Sequence, residues 1–161
     1  MQVRLAAEDE LDAVGELTVA AYEQFMLGPQ DPYRARVRDA ATRSREAELW
    51  VAVDGDRLLG SVTACPPGSP WRELATSPAE GEFRMLSVHP EARGRGAGQA
   101  LAAHCEVRAL AHGATRMVLS SLVQMRTAHR VYGRLGYSRL PERDWSPAPD
   151  VHLITFTKEL T

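Results

Sequence analysis

One run of residues in this chain has the types and spacing to do chemistry, Glu82 to Gly98, EFRMLSVHPEARGRGAG. Its apolar part, Glu82 to Val88, reads as a strand. His89-Pro90 stops it, because proline has no N–H for a ladder and restricts the residue before it. Arg93, Gly94, Arg95, Gly96, Ala97 and Gly98 then lead directly into a helical pattern. A glycine-rich turn opening a helix suits an anion such as phosphate. Glycine lets the backbone come close, the first N–H groups of the helix lack internal partners, and the helix dipole favours negative charge. The two arginines add to that charge.

Three readings of the turn compete. One is a surface turn with no ligand. Another is a dinucleotide-binding turn, which fits poorly. The glycines stand at 94, 96 and 98, not in G-x-G-x-x-G order, and the next strand candidate, Met117 to Ser121, does not end in an acidic residue. The Walker pattern fails as well, since no Lys-Ser or Lys-Thr follows the last glycine. The third reading is a resemblance. Arg93-x-x-Gly96-x-Gly98 resembles the R/Q-x-x-G-x-G/A signature of the GCN5-related N-acetyltransferase (GNAT) superfamily. Leu86-Ser87-Val88-His89-Pro90 looks like that family's fourth strand and its exit. Ala128 to Tyr137, with Tyr132 and Gly136, resembles its A-x-x-x-Y-x-x-x-G-F/Y helix end. The spacing between the two motifs suits one helix and one strand. The resemblance extends from about Val3 to Leu160, and residues 82–137 carry its sharp part.

The resemblance implies acetyl-coenzyme A as the acyl donor and an amine as the acceptor. The pyrophosphate would lie on Arg93, Gly94, Arg95, Gly96, Ala97 and Gly98. The pantetheine arm, a chain of amides, would pair with the main chain of Leu86, Ser87 and Val88, like an added strand. A backbone N–H near Leu86 or Val88 would polarise the thioester carbonyl. Tyr132 matches the tyrosine that protonates the leaving thiolate; on an amphipathic helix it also reads as a plain core tyrosine. Glu82 matches a strand-start glutamate that takes the amine proton directly or through water; it reads equally as a strand-end carboxylate. Glu80 is a weaker alternative. Many family members carry asparagine seven residues before the tyrosine, and this chain has Met125 there, so that side-chain bond to the arm is missing.

Composition sets the frame for these side chains. With 161 residues, one domain spanning residues 1–161 is expected, with length enough for a core. A net charge of −2 argues against a general nucleic-acid binder. The absence of a charged-then-apolar leader and of a long apolar run argues against secretion and membrane spanning, and points to a cytoplasmic protein. Cys65 and Cys105 lie in apolar patterns and read as buried thiols. The five histidines show no metal-ligand spacing, so no metal is expected. Homodimer assembly is left open.

The elements that must position the site follow from pattern. Val3 to Leu5 reads as a strand and residues 9–22 as a helix. Asp31-Pro32 starts a second helix, with Asp as cap and Pro in the first turn. Its arginines, Arg34, Arg36, Arg38 and Arg43, read as a solvated face. Leu49 to Val53 and Arg57 to Cys65 flank Asp54-Gly55-Asp56 as a hairpin. Residues 66–81 form a long loop in which Trp71 and Leu74 either pack on the sheet or wall a cleft. Residues 97–112 read as a helix with Ala100, Ala103, Val107 and Leu110 as its apolar stripe. Thr115 to Leu122 is a strand and 125–135 a helix with Ala128, Val131 and Leu135 on one face. Residues 137–140 and 151–158 are two last strands joined by a loop. The expected architecture is a mixed α/β (α+β-like) acyl-CoA N-acyltransferase fold, with about seven strands and about four helices. The expected activity is N-acetyl transfer in a ternary complex, Cys65 and Cys105 being poorly placed for a covalent intermediate. The rival is the same fold serving as an acyl-coenzyme A sensor or inactive partner.

Overall fold

The computed structural model describes residues 1–161. Eight strands form one sheet: β1 (Gln2–Leu5), β2 (Glu48–Asp54), β3 (Arg57–Cys65), β4 (Glu80–Val88), β5 (Arg116–Leu122), β6 (Ser138–Arg139), β7 (Trp145–Ala148) and β8 (Val151–Glu159). Their spatial order is β1-β2-β3-β4-β5-β8-β6, with β7 also paired to β8. Five α-helices cover the sheet: α1 (Leu11–Tyr22), α2 (Tyr33–Arg38), α3 (Ala40–Glu46), α4 (Ala97–Ala111) and α5 (Arg126–Arg134). The mixed α/β expectation holds, with one more strand and one more helix than the patterns predict. No helix is long and apolar enough to cross a membrane.

The β4–β5 junction is what positions the site. The two strands are parallel but pair only at Glu80 with Arg116 and Gly81 with Met117. Beyond Gly81 they part. On its other side β4 stays paired to β3, through a bulge: Ser61 faces Ser87 and Thr63 faces Arg84, so Met85 and Leu86 share one partner. Met85 takes φ +55°, a conformation rare outside glycine. The bulge resets the alternation of side chains. Phe83, Leu86 and Val88 pack into the main core under α4, while Met85 joins Val19, Val37, Cys65 and Trp71 beneath α1 and α2.

Four expectations are corrected here. The stretch after Asp31 is two helices, because Asp39 leaves helical geometry and its carboxylate accepts from the Thr42 N–H at 3.1 Å. Arg43 is not on a solvated face. It is fully buried and donates to the carbonyls of Val37 at 2.6 Å and Arg36 at 3.2 Å, tying off the last turn of α2. On α4 the buried residues include Gly98, Leu101, Ala102, Cys105 and Ala109, while Val107 and Leu110 are exposed. A helix this rich in alanine offers two apolar stripes, and the sheet takes the one that permits closer approach. Finally, the loop expected before the last strand contains β7, a hairpin partner of β8.

That close approach rests on Gly81. A Cβ built there would lie 2.6 Å from the Ala109 Cβ and 2.7 Å from the Met117 sulfur, at the last point where β4 and β5 pair. Gly81→Ala therefore forces α4 or β5 outward and is expected to cost about 1–3 kcal/mol. A urea unfolding midpoint equal to that of the unsubstituted chain would show that α4 can step back without penalty.

Candidate active site

The parting of β4 and β5 opens into a cavity of about 510 Å³. Its floor is Glu82 to Met85 of β4 and Ser120 to Leu122 of β5. One wall comes from Tyr22, Met26, Tyr33 and Arg36 around α1 and α2, and the other from Tyr132 of α5 and the β7–β8 hairpin. Tyr132 is buried in an aromatic cluster, its ring centroid 6.0 Å from Phe83, 5.8 Å from Tyr137 and 5.4 Å from Phe156. Burial pushes its phenol above the usual value of 10, so it keeps its proton throughout the working range. Met125 also lines the cavity, presenting a thioether where an amide was looked for.

Glu82 lies in the same cavity and is 3% exposed. Its carboxylate accepts backbone N–H bonds from Glu73 at 3.2 Å, Leu74 at 3.2 Å and Ala75 at 3.1 Å. Burial raises its pKa, the three N–H groups pull the other way, and the net shift is upward. It thus faces the cleft and also anchors the loop between β3 and β4. Glu80 lies apart from the cavity lining, among Arg116 at 2.5 Å, Arg143 at 2.7 Å and the Thr76 N–H at 2.9 Å. The loop's apolar residues do both tasks left open for them. Trp71 and Leu74 are buried, and Trp71 backs the cavity wall by lying under Arg36, whose guanidinium carbon is 4.3 Å from its ring centroid.

At the far end of β4 the glycine turn has the expected form. Gly94 and Gly96 take φ +81° and +82°, and Gly96 caps α4 in the left-handed region. The N–H groups of Gly94, Gly96, Ala97, Gly98 and Gln99 donate to no group of the chain. A side chain at Gly96 would project into open space. The arginines differ. Arg95 is paired with Asp54 at 2.7 Å, whereas Arg93 makes no ion pair. Leu86, Ser87 and Val88 run from the cavity to this turn along the edge that β5 has left.

Several cavity residues were not singled out by sequence patterns. Arg84 follows Glu82 by two positions on β4, on the same face, and pairs with Glu73. Period-two spacing from Glu82 could have flagged it; the alternation then breaks at Met85. The histidines serve local contacts. His89 accepts from Glu91 N–H at 3.2 Å, His104 packs on Trp50, His112 meets Glu48 at 3.2 Å and His129 meets Ser121 at 3.1 Å. Both cysteines are buried and free, with thiols raised by burial.

The sheet thus parts between a turn with free N–H groups at one end and a cavity lined by Tyr132 and Glu82 at the other. Comparison with known proteins gives the family. The model of the acetyltransferase (GNAT) family matches residues 11–137. The chain belongs to this family of acetyl-coenzyme A-dependent acetyltransferases. A mycothiol acetyltransferase of Cellulomonas flavigena is 30% identical over 141 residues, covering 78% of this chain and 40% of that protein. The chain thus spans less than half the length of this relative. The yncA protein of Salmonella typhimurium, solved with its cofactor acetyl-CoA, superposes with a TM-score of 0.70 at 18% identity, over 100% of this chain and 94% of its own. An aminoglycoside 6'-N-acetyltransferase complexed with coenzyme A gives 0.73 at 17% identity, over 100% and 98%. At such identities the two structures bear on the fold.

Glu80 generates a pH prediction. Its two arginines and the Thr76 N–H outweigh desolvation and hold its pKa at about 2. A carboxyl lowered in the folded state stabilises above its unfolded pKa, and that stability is lost as pH falls through the folded value. Between about pH 5 and pH 2 the chain should lose stability more steeply than Glu80→Gln, which has no such group to titrate. Denaturant midpoints at pH 6 and pH 3 check this; parallel declines would remove Glu80 as the source.

Proposed function

We propose that this chain, acting as one domain, transfers an acetyl group from acetyl-coenzyme A to an amine by direct attack in a ternary complex. The observation that carries the reading is the unpaired edge of β4, which runs from the glycine turn to the cavity holding Tyr132 and Glu82. The distance between these features is filled by an extended strand, which suits an extended ligand with amides along it. Pyrophosphate would accept from the free N–H groups between Gly94 and Gln99. The arm's amides would pair with Leu86, Ser87 and Val88, and the thioester would reach the cavity near the bulge. Arg93 is free to meet a phosphate, and Arg95 would have to leave Asp54 to do so.

In the transfer step the acceptor nitrogen forms a bond to the thioester carbon and the carbon–sulfur bond breaks. The nitrogen's surplus proton goes to Glu82, through water where the two do not touch. The sulfur leaves with its charge met by the Tyr132 hydroxyl, which gives it a proton. The upward shift of Glu82 suits a base near neutral pH, since a carboxylate at its ordinary value is a weak acceptor. The cysteines' burial and raised thiols disfavour an acyl-cysteine route. Free thiols suit a reducing compartment, so the cytoplasm is part of the proposal. Amine-dependent release of coenzyme A thiol separates this enzyme from a sensor on the same fold, which would bind acetyl-coenzyme A without turnover.

Tyr132→Phe keeps the ring in its cluster and deletes the proton. Turnover should fall by about 10²–10⁴, with coenzyme A affinity by calorimetry little changed. Turnover equal to that of the unsubstituted chain would leave Tyr132 a packing residue. Glu82→Gln should lower turnover in a way partly recovered at high pH, and least for acceptors of low amine pKa, which need the base least. A pH–rate series with two acceptors of different amine pKa checks this. Equal losses at every pH would reduce Glu82 to holding the loop at residues 73–75.

A further inference from the structure

One wall of the cavity carries a guanidinium with no partner, that of Arg36. Trp71 is 3% exposed, and two guanidinium groups sit against its indole, Arg36 at 4.3 Å and Arg84 at 5.4 Å from the ring centroid. Both arginines line the cavity. Arg84 is paired with Glu73 and donates to the Trp71 carbonyl at 3.3 Å. Arg36 has no acidic partner, and its guanidinium donates to no group of the chain. The cavity's buried and half-buried acids are already served. Glu82 takes three N–H groups, Asp31 accepts from Leu27 and Tyr33, and Glu73 is matched by Arg84. Asp150 is the remaining acid of the lining, and it sits on the opposite wall in the β7–β8 turn.

The geometry points to an acceptor that carries a carboxylate beside its amine: an α-amino acid with an apolar or aromatic side chain, its carboxylate held by Arg36. This rests on the amine-acetyltransferase reading above and names its substrate class. A guanidinium stacked on an indole has one face covered but keeps its in-plane N–H fork, the geometry that grips a carboxylate with two bonds. Stacking also fixes the side chain in advance, so less rotamer freedom is lost on binding. Glu73 pairs with Arg84 and Glu46 accepts from the Trp71 indole N–H at 3.0 Å, so Arg36 is the guanidinium on this ring without a hydrogen-bonded partner, and a carboxylate arriving there would supply one. The surrounding Tyr22, Phe25, Met26, Leu27 and Tyr33 offer an apolar surface for the side chain. The free amino group would then point toward the gap between β4 and β5, where the thioester is delivered.

The test uses matched acceptors: phenylalanine, phenylalaninamide and phenethylamine, with acetyl-coenzyme A as donor. Phenylalanine should exceed the other two in kcat/KM by about 10–100-fold, the worth of a charge-assisted contact. Arg36→Gln should remove most of that advantage through KM, leave the phenethylamine rate and the acetyl-coenzyme A KM unchanged, and keep the thermal midpoint. Arg36→Lys should restore part of it. Equal or better turnover of phenethylamine by the unsubstituted chain would overturn the inference and leave amine transfer standing. Discrimination that survives Arg36→Gln would also overturn it. Binding of acetyl-coenzyme A without acetylation of any of the three, nor of a wider amine panel, would overturn the amine-transfer reading and this inference together.

Discussion

The parting of β4 from β5 after two residue pairs is the constraint on which the rest depends. Each strand keeps a complete partner on its other side, β3 for β4 and β8 for β5, so the sheet survives the gap. Tyr132 packs beside the gap in the core, its ring centroid 6.0 Å from Phe83 and 5.4 Å from Phe156. The bulge at Met85 then turns the β4 backbone at the mouth of the gap. Unpaired backbone edges in a sheet interior are costly unless water or a ligand serves them. An edge of this kind therefore persists where a ligand with amides of its own completes it.

Electrostatics hold the loop that roofs this gap. Residues 66–79 have no regular structure, so their backbone groups need partners from elsewhere. Two carboxylates at the start of β4 supply them, Glu82 for residues 73–75 and Glu80 for Thr76. Arg143 closes the arrangement from the other side, bonding both Glu80 and the Leu74 carbonyl. One strand end thus organises a loop that propensity alone would leave loose, and the carboxylate assigned to proton transfer is part of that scaffold. The two duties are compatible, because N–H donors keep a buried carboxylate ionised and aimed while leaving it lone pairs.

The legibility of the sequence follows physical lines. Features set by local chemistry were readable: the Asp54-Gly55 hairpin and the glycine turn that opens α4. Glu82 and Tyr132 were readable as site candidates through the family motifs, and the fold brings both to one cavity. What could not be read depends on tertiary contacts. The burial of Arg43 follows from where α2 ends, and periodicity says nothing of that. The buried face of α4 was misassigned because its alanines make both stripes apolar, and the choice falls to Gly81 across the interface. The bulge at Met85 leaves no mark in the residue types, so the facing of β4 side chains beyond Arg84 was hidden. Trp71 and Arg36 lie far apart in the chain and meet through folding alone.

Trp71 has a consequence of an optical kind. Its indole is shut away from water, yet its neighbours on the cavity side are two guanidinium groups exposed to whatever enters. Indole emission is sensitive to the field across the ring, and a charged group arriving between those cations changes that field. Trp50 lies on the opposite side of the sheet, edge-on against His104 and remote from the cavity lining, whereas Trp145 of β7 donates to the cavity-lining Ser120 at 3.1 Å and is a second indole beside the cavity. The cavity is thus bordered by the protein's own fluorophores, and a charged occupant would alter their emission without any added label.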